Sequence, residues 1–162
     1  MSIAELILQY RKDIDNGLME IYPKGPQSLT GPIKYVLHGR GKRLRSLLTI
    51  FSTEACGGSK DDVLYQALAV EVLHNFTLVH DDIMDRDFIR HGQETVHQKW
   101  DDGVAILTGN AMLSLALELL YQSSSHKNKL MKIFIEALLA VCEGQALDKE
   151  FETQPSVSVE DY

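Results

Sequence analysis

The chain has few of the residues that would stabilise a disulfide-bonded or metal-clipped domain. Of its 162 residues only Cys56 and Cys142 are cysteines, and neither has a nearby cysteine or histidine at the spacing of a structural zinc site. Neither a disulfide framework nor a zinc site is therefore indicated, and a reducing compartment is the default. We expect a cytoplasmic protein.

Positive charge and long apolar runs are also scarce. With 16 lysines and arginines against 23 acidic residues, the formal net charge is −7, which argues against a protein that binds nucleic acid through its overall charge. The most apolar stretch, residues 133–142, is interrupted by Glu136, and the N-terminus lacks a basic start before an apolar run. We therefore expect no nucleic-acid partner and no transmembrane or targeting segment.

Helical periodicity is what the sequence has in abundance. Hydrophobic residues make up 44% of the chain and charged residues 24%, a globular composition that fits one domain. Ser2 and Glu5 form a capping-box pattern, after which apolar residues follow helical spacing through 3–21. Strand alternation and internal repeats are missing from the sequence, so we predict an all-α fold. The further predicted helices are 33–37, 44–55, 61–86, 104–121 and 128–152, with 92–102 as a connection.

The most informative cluster is the carboxylate triplet Asp81, Asp82 and Asp85, at the end of the longest apolar helical pattern. Asp81 and Asp85 are one helical turn apart, where like charges repel, and a helix C-terminus already carries partial negative charge. A bound divalent cation would offset this charge. Carboxylate oxygens suit Mg²⁺, which completes its shell with water and substrate phosphates. The simpler interpretation is a solvated helix end.

Residues that could bind phosphate occur on both sides of this triplet. Arg90 follows it, and the basic segment Gly41-Lys42-Arg43-Leu44-Arg45 precedes it at the start of a predicted helix. These features also have structural interpretations, because a basic segment is often a solvated helix face. His74, on an apolar helix, is more often a core histidine than a ligand.

Several motifs follow one another in a recognisable order. They are Gly41-Lys42-Arg43-Leu44-Arg45, Glu71-Val72-Leu73-His74, His80-Asp81-Asp82-Ile83-Met84-Asp85, then Arg90, Gly92, Thr95 and His97, Ile106-Leu107-Thr108-Gly109, and Gly144-Gln145 with Asp148. In this order they resemble the trans-isoprenyl diphosphate synthases, the family of farnesyl and geranylgeranyl diphosphate synthases. The resemblance extends over nearly the whole chain.

This resemblance implies a fold, a reaction and a set of site residues. The fold is the isoprenoid-synthase helical bundle, truncated here to its N-terminal helices. The reaction condenses isopentenyl diphosphate with an allylic diphosphate and depends on Mg²⁺. Asp81, Asp82 and Asp85 are implied as catalytic, with Asp81 and Asp85 binding the metal. The implied substrate-binding residues are Gly41, Lys42, Arg45, His74, Arg90 and His91.

Product length and pH response also follow from the resemblance. Phe76 lies five residues before Asp81, with Thr77 beside it. In this family, side chains below the first Asp-rich motif limit the growing chain, so these two residues predict a product of farnesyl to geranylgeranyl length. His91 stands where the family usually has a second arginine, which replaces a permanent cation with one that depends on pH.

The family's second Asp-rich motif has no match in the sequence. We therefore expect residues 1–162 to be the N-terminal part of a polyprenyl synthetase domain. Ser158, followed by acidic and aromatic residues 160–162, predicts the start of a further helix. By the same resemblance, the helices of 104–152 form a dimer interface, so a homodimer is expected.

Two other hypotheses come from different functional classes. Glu71-x-x-His74 and Glu94-x-x-His97 are the pairs typical of di-iron carboxylate bundles, although there the pairs lie on separate long helices. Alternatively, the chain is a non-catalytic half-domain that binds one diphosphate or a partner subunit without turnover.

Overall fold

The computed structural model describes residues 2–39, 41–123 and 126–160. Within these ranges the chain forms seven helices and one short hairpin, which confirms the all-α prediction. The helices are α1 (Ile3–Glu20), α2 (Gln27–Leu37), α3 (Leu44–Ala55), α4 (Lys60–Asp85), α5 (Val96–Lys99), α6 (Asp102–Gln122) and α7 (Lys127–Phe151), and the strands are β1 (Ile89–Arg90) and β2 (Gln93–Glu94).

The chain divides into two compact units, Met1–Ser124 and Ser125–Tyr162. The second contains α7, after which residues 154–160 form no further helix. The helix start predicted around Ser158 falls partly on Asp161 and Tyr162, which lie outside the described residues. The expectation that 1–162 belong to a single domain remains a prediction.

Helix α4 is the centre of the first unit. Its start is capped because the Asp62 carboxylate accepts hydrogen bonds from the backbone N–H and the hydroxyl of Ser59, at 2.9 and 2.6 Å. Nine of its residues are buried, on more than one face, because α3, α6 and α1 all pack against it. Arg86, with a φ of 57°, ends the helix in the left-handed conformation, immediately after Asp85.

Helix α2 is longer than predicted. The sequence indicated a helix only at 33–37, because Gly31-Pro32 is a typical turn signal. The helix instead begins at Gln27, where Thr30 Oγ1 donates to the Pro26 carbonyl at 2.6 Å, and Pro32 is accommodated within it. Ile33 and Leu37 are both buried, so packing outweighs the backbone hydrogen bond that proline cannot make.

Helix α6 corrects one expectation about the membrane. It has the length and composition of a membrane-spanning helix, with a mean hydropathy of 1.6 over its most apolar window, so residues 133–142 are not the stretch closest to such a segment. In the structure 44% of that window is buried, and α6 packs along α4. A central core helix passes the same test, and this packing accounts for its hydropathy.

A close contact fixes how α4 and α6 lie against each other. The ring of His80 on α4 lies directly over Gly109 on α6, where any Cβ would overlap the ring nitrogen. His80 Nε2 is also 3.4 Å from the Ile106 carbonyl oxygen. Gly109 is thus the position at which α6 lets the histidine side chain approach its backbone.

Candidate functional site

A cavity of about 350 Å³ lies in the first unit, beside the C-terminal half of α4. Its walls come from the segment before α3, the start of α3, the inner face of α4 and the β-hairpin with the residues after it. All six predicted substrate-binding residues line it. They are Gly41, Lys42, Arg45, His74, Arg90 and His91.

Arg45 and His74 meet inside this cavity. Arg45 Nη1 lies 3.1 Å from His74 Nε2. A guanidinium can only donate, so Nε2 accepts this bond and the ring is neutral with its proton on Nδ1. Burial and the neighbouring Arg45 hold the pKa of His74 below its usual value. The cavity therefore carries the charge of Arg45 and not that of His74.

Arg43 belongs to the same basic segment but serves a different purpose. Its side chain is only 4% exposed and contacts two carboxylates, with Nε 2.8 Å from Asp15 Oδ1 and Nη1 3.4 Å from Glu71 Oε1. Sequence reasoning placed Arg43 in the basic segment and Glu71 in a Glu-x-x-His pair, but it did not predict that the two side chains contact each other. The sequence feature that could have indicated this ion pair was Glu71 itself, because an acid in the middle of an apolar helix requires a buried partner.

Arg90 and Asp82 form a second ion pair at the cavity. Arg90 Nε donates to Asp82 Oδ1 at 2.6 Å, and Arg90 Nη2 lies 3.4 Å from Asp87 Oδ2. Asp82 is 4% exposed, and its burial raises the pKa of the carboxyl group even though Arg90 acts in the opposite direction. Asp82 therefore orients Arg90 within the cavity.

Asp81 and Asp85 lie at the end of α4 but do not line the cavity. Asp81 is half-buried and Asp85 is exposed. In the described part of the chain, no group of three or more histidine, cysteine or acidic side chains could hold a metal ion. Two carboxylates one turn apart suit Mg²⁺ in its usual protein environment, in which phosphate and water supply the other oxygens.

His91 occupies a turn that constrains its backbone. Ile89 pairs with Glu94 and Arg90 with Gln93, so His91 and Gly92 form a two-residue hairpin loop. Both have positive φ values, 52° and 78°, as a type I′ turn requires. Histidine tolerates this conformation better than most residues with a side chain. Of the two turn residues, only Gly92 falls within the predicted connection over 92–102, so the turn itself was not predicted.

Phe76 and Thr77 lie one turn before the Asp triplet, outside the cavity lining. The Phe76 ring is buried and meets the His80 ring edge-on, with centroids 4.8 Å apart. The Thr77 hydroxyl donates to the His74 carbonyl at 2.8 Å, so it is committed to its own helix.

A second, shallower cleft borders the cavity at Tyr35 and Gln93, which line both. The Tyr35 ring packs edge-on against Trp100 with centroids 5.3 Å apart, and Lys99 Nζ lies 4.4 Å from the Tyr35 centroid. The Tyr35 hydroxyl donates to the Glu94 carbonyl at 2.8 Å. Tyr35 thereby connects α2 and the residues after α5 with the hairpin that bears Arg90.

The di-iron alternative does not fit this arrangement. Glu71 is engaged by Arg43 and by the Ser46 hydroxyl, and Glu94 lies on a two-residue strand. Such a site needs both Glu-x-x-His pairs on long facing helices, and the described residues provide this for only one pair.

The sequence profile of one family, "Polyprenyl synthetase", matches residues 26–162. The chain belongs to the polyprenyl synthetase family. The geranylgeranyl diphosphate synthase of Methanosarcina mazei is 38% identical, over 100% of this chain and 51% of the relative.

Solved structures of similar proteins have the same fold as this polyprenyl synthetase chain. A crystal structure of a geranylgeranyl pyrophosphate synthase superposes with a TM-score of 0.92 at 43% identity, covering 100% of this chain and 49% of that one. The synthetase from Pyrococcus horikoshii Ot3 gives a TM-score of 0.92 at 38% identity, covering 98% and 50%. This polyprenyl synthetase chain thus spans about half the length of the relatives it matches.

Proposed function

We propose that this protein is a prenyltransferase that condenses isopentenyl diphosphate with an allylic diphosphate to give products of farnesyl to geranylgeranyl length. The observation that carries the proposal is the cavity lined by Lys42, Arg45, His74, Arg90 and His91. Family membership and similarity to geranylgeranyl diphosphate synthases support it.

Isopentenyl diphosphate would bind at the end of the cavity formed by Lys42, Arg45 and His74. Lysine and arginine donate charge-assisted hydrogen bonds to phosphate oxygens. His74 can donate only from Nδ1 while Arg45 occupies its Nε2, so a proton taken up with the ligand would add a second donor. Gly41 leaves room for the Arg43 side chain, because a Cβ at this position would lie 2.9 Å from Arg43 Nη1, and the His91 imidazole provides a further donor at the same cavity.

The allylic diphosphate would lie at the end of α4, between Arg90 and the Asp triplet. Asp82 holds the Arg90 guanidinium through its Nε, which leaves other N–H groups to meet phosphate oxygens. Asp81 and Asp85 would hold Mg²⁺ against the same diphosphate. A cation at that position offsets the charge that develops on the leaving group.

A second candidate is a non-catalytic diphosphate-binding half-domain. It is favoured by the position of Asp81 and Asp85, which lie at the end of α4 but do not line the cavity that would bind the diphosphate. In that case the cavity binds its ligand, but ionisation of the allylic substrate does not follow.

Assembly, location and domain extent complete the proposal. We propose that the chain self-associates as a homodimer through α6 and α7. Exposed apolar side chains on α6, such as Leu107 at 63%, would be covered there. We also propose that residues 1–162 are part of one polyprenyl synthetase domain that acts in the cytoplasm.

Incorporation of radiolabelled isopentenyl diphosphate tests the two candidates. The chain is incubated with Mg²⁺ and geranyl or farnesyl diphosphate, beside an Asp81→Ala variant. Labelled product that disappears in the variant supports the transferase. No product in a folded sample that still binds isopentenyl diphosphate supports the binding half-domain, and a folded sample that binds no diphosphate contradicts both.

A further inference from the structure

The charges around the cavity are nearly balanced. Four permanent cations line it, Lys42, Arg43, Arg45 and Arg90, together with three acidic residues, Glu71, Asp82 and Glu94. His74 accepts the hydrogen bond of Arg45 at Nε2 and is neutral. A site for a diphosphate needs an excess of positive charge, and the excess among these groups is a single unit of charge.

Arg43 is the one cation of the four that is fully committed to the protein. Beyond Asp15 and Glu71, its Nη2 donates to the Leu37 carbonyl at 2.7 Å and to the Gly39 carbonyl at 3.1 Å. It takes a left-handed conformation, with a φ of 53°, at the start of α3. With its donors used in this way, the side chain has no role in contacting a ligand.

Glu71 is the buried one of the two acids that this arginine contacts, because Asp15 is nearer but 43% exposed. The Glu71 side chain is 5% exposed, and its other oxygen accepts a hydrogen bond from the Ser46 hydroxyl at 3.2 Å. Glu71 raises the pKa of His74, while Arg45 lowers it. The field of Glu71 therefore extends to a residue in the ligand cavity.

We infer that Arg43 is a positioning residue that neutralises Glu71, and that this keeps the cavity positive and leaves Lys42 and Arg45 available for a diphosphate. The inference rests on the proposed function and concerns a residue that does not touch the ligand. A buried carboxylate without its partner retains a strong field, because little water is present to screen it.

Charge counting predicts the order of affinities. Arg43→Gln leaves three cations against three carboxylates, and Glu71→Gln leaves four against two, while the double variant restores an excess of one. Isothermal titration calorimetry with isopentenyl diphosphate should show Arg43→Gln binding about tenfold more weakly, because the uncompensated Glu71 carboxylate opposes the negative charge of the ligand. Glu71→Gln should bind at least as tightly as the wild type, and the double variant should bind like the wild type.

Lys42→Gln is the matched control, because it removes the same formal charge from a residue that contacts the ligand. Adding Glu71→Gln to Lys42→Gln should leave most of the loss in place. Circular dichroism and thermal unfolding establish that each variant is folded. If Arg43→Gln does not fold, Glu71→Gln and the double variant carry the test, since neither leaves an unpaired Glu71 carboxylate.

Three results are decisive against the inference. Wild-type affinity in folded Arg43→Gln, or a double variant that stays tenfold weaker, overturns it and leaves the proposed function intact. A merely structural role of Arg43 gives the second result, because neutralising Glu71 cannot restore packing. Absence of binding to the wild-type chain instead overturns the proposed diphosphate site and this inference together.

Discussion

His74 combines burial with a direct arginine contact, and both features lower its pKa. At acidic pH the unfolded chain therefore binds more protons than the folded chain. The stabilisation from neutral His74 is complete above the unfolded pKa of about 6.5. It is lost as the pH falls through the lower pKa of the folded state. Chemical denaturation between about pH 7.5 and pH 5 should show this loss. His74→Gln should reduce it. A pH dependence of stability in His74→Gln equal to that of the wild type would contradict the assignment.

Phe76 should limit the length of a bound prenyl chain. Its buried ring blocks space one turn below the Asp triplet, so Phe76→Ala should strengthen binding of geranylgeranyl diphosphate relative to geranyl diphosphate. If the space opens fully, the binding free energy of the prenyl chain improves by at most about 1 kcal/mol for each of its methylene groups that becomes buried. Competition calorimetry measures the ratio of the two affinities. Phe51→Ala on α3, which removes a ring that packs against Tyr10, is the control. An unchanged ratio in Phe76→Ala removes Phe76 from this role.

The roles expected from the sequence and those found in the structure differ most clearly among the basic residues of segment 41–45. The family resemblance identified Lys42 and Arg45, and the cavity brings them together with His74. Arg43 carries the same charge between them and is buried in ion pairs instead. A sequence states the charge of a residue but not its burial, and burial alone separates a ligand-binding cation from one that neutralises a neighbouring acid.

Helices with clear end signals were predictable, and those that depend on packing were not. Helix α3 has the predicted bounds, 44–55, and α1 and α4 lie within a residue or so of theirs. The first two turns of α2 were missed because proline and glycine signals are local, whereas Ile33 and Leu37 are fixed by the core. The hairpin was missed because strands of two residues are too short to show alternation.

Gly109 should be indispensable for the packing of α4 against α6. A methyl group there overlaps His80, so Gly109→Ala should lower the free energy of unfolding by about 1–3 kcal/mol, as overpacking does, despite alanine's better helix propensity. Denaturant melts measure the change. Combining it with His80→Ala should remove most of the penalty, and additive losses in the double variant would show that the contact is not its cause.

Substitutions in the hairpin turn should separate two properties of His91, its backbone conformation and its contribution to ligand binding. His91→Gly keeps the positive φ at no steric cost, so stability should stay within about 0.5 kcal/mol while isopentenyl diphosphate binding weakens. His91→Val places a β-branched residue in a left-handed conformation and should lose about 1–2 kcal/mol as well. Thermal melts and calorimetry distinguish the two effects. Equal stability of both variants would contradict the turn assignment.

At the scale of the whole molecule, the proposed dimer makes α6 the surface to test. Leu107 on α6 and Leu8 on α1 are almost equally exposed, at 63% and 65%. Leu107→Glu should shift the chain towards monomer in sedimentation or light scattering, because a charge would be buried at the interface. Leu8→Glu should leave the assembly unchanged. A wild-type monomer, or equal effects of both substitutions, contradicts the proposed interface.

The all-α class and the family were predictable for the molecule as a whole, because motif order and helical periodicity are properties of the sequence. The division into two compact units was not. The apolar pattern of α7 resembles that of a core helix, and a sequence does not specify which partner an apolar face meets.

The contact between Trp100 and Tyr35 also makes the intrinsic fluorescence of the chain a probe of this region. Trp100 is the sole tryptophan among 162 residues, so its emission reports on one location without any label. An edge-on tyrosine ring and the Lys99 ammonium, 5.5 Å from the indole centroid, lie beside the indole, so a change in their positions should alter its emission. Because Tyr35 is hydrogen-bonded to the hairpin, movement of Arg90 and His91 towards a ligand can be followed by stopped-flow fluorescence in the unmodified protein.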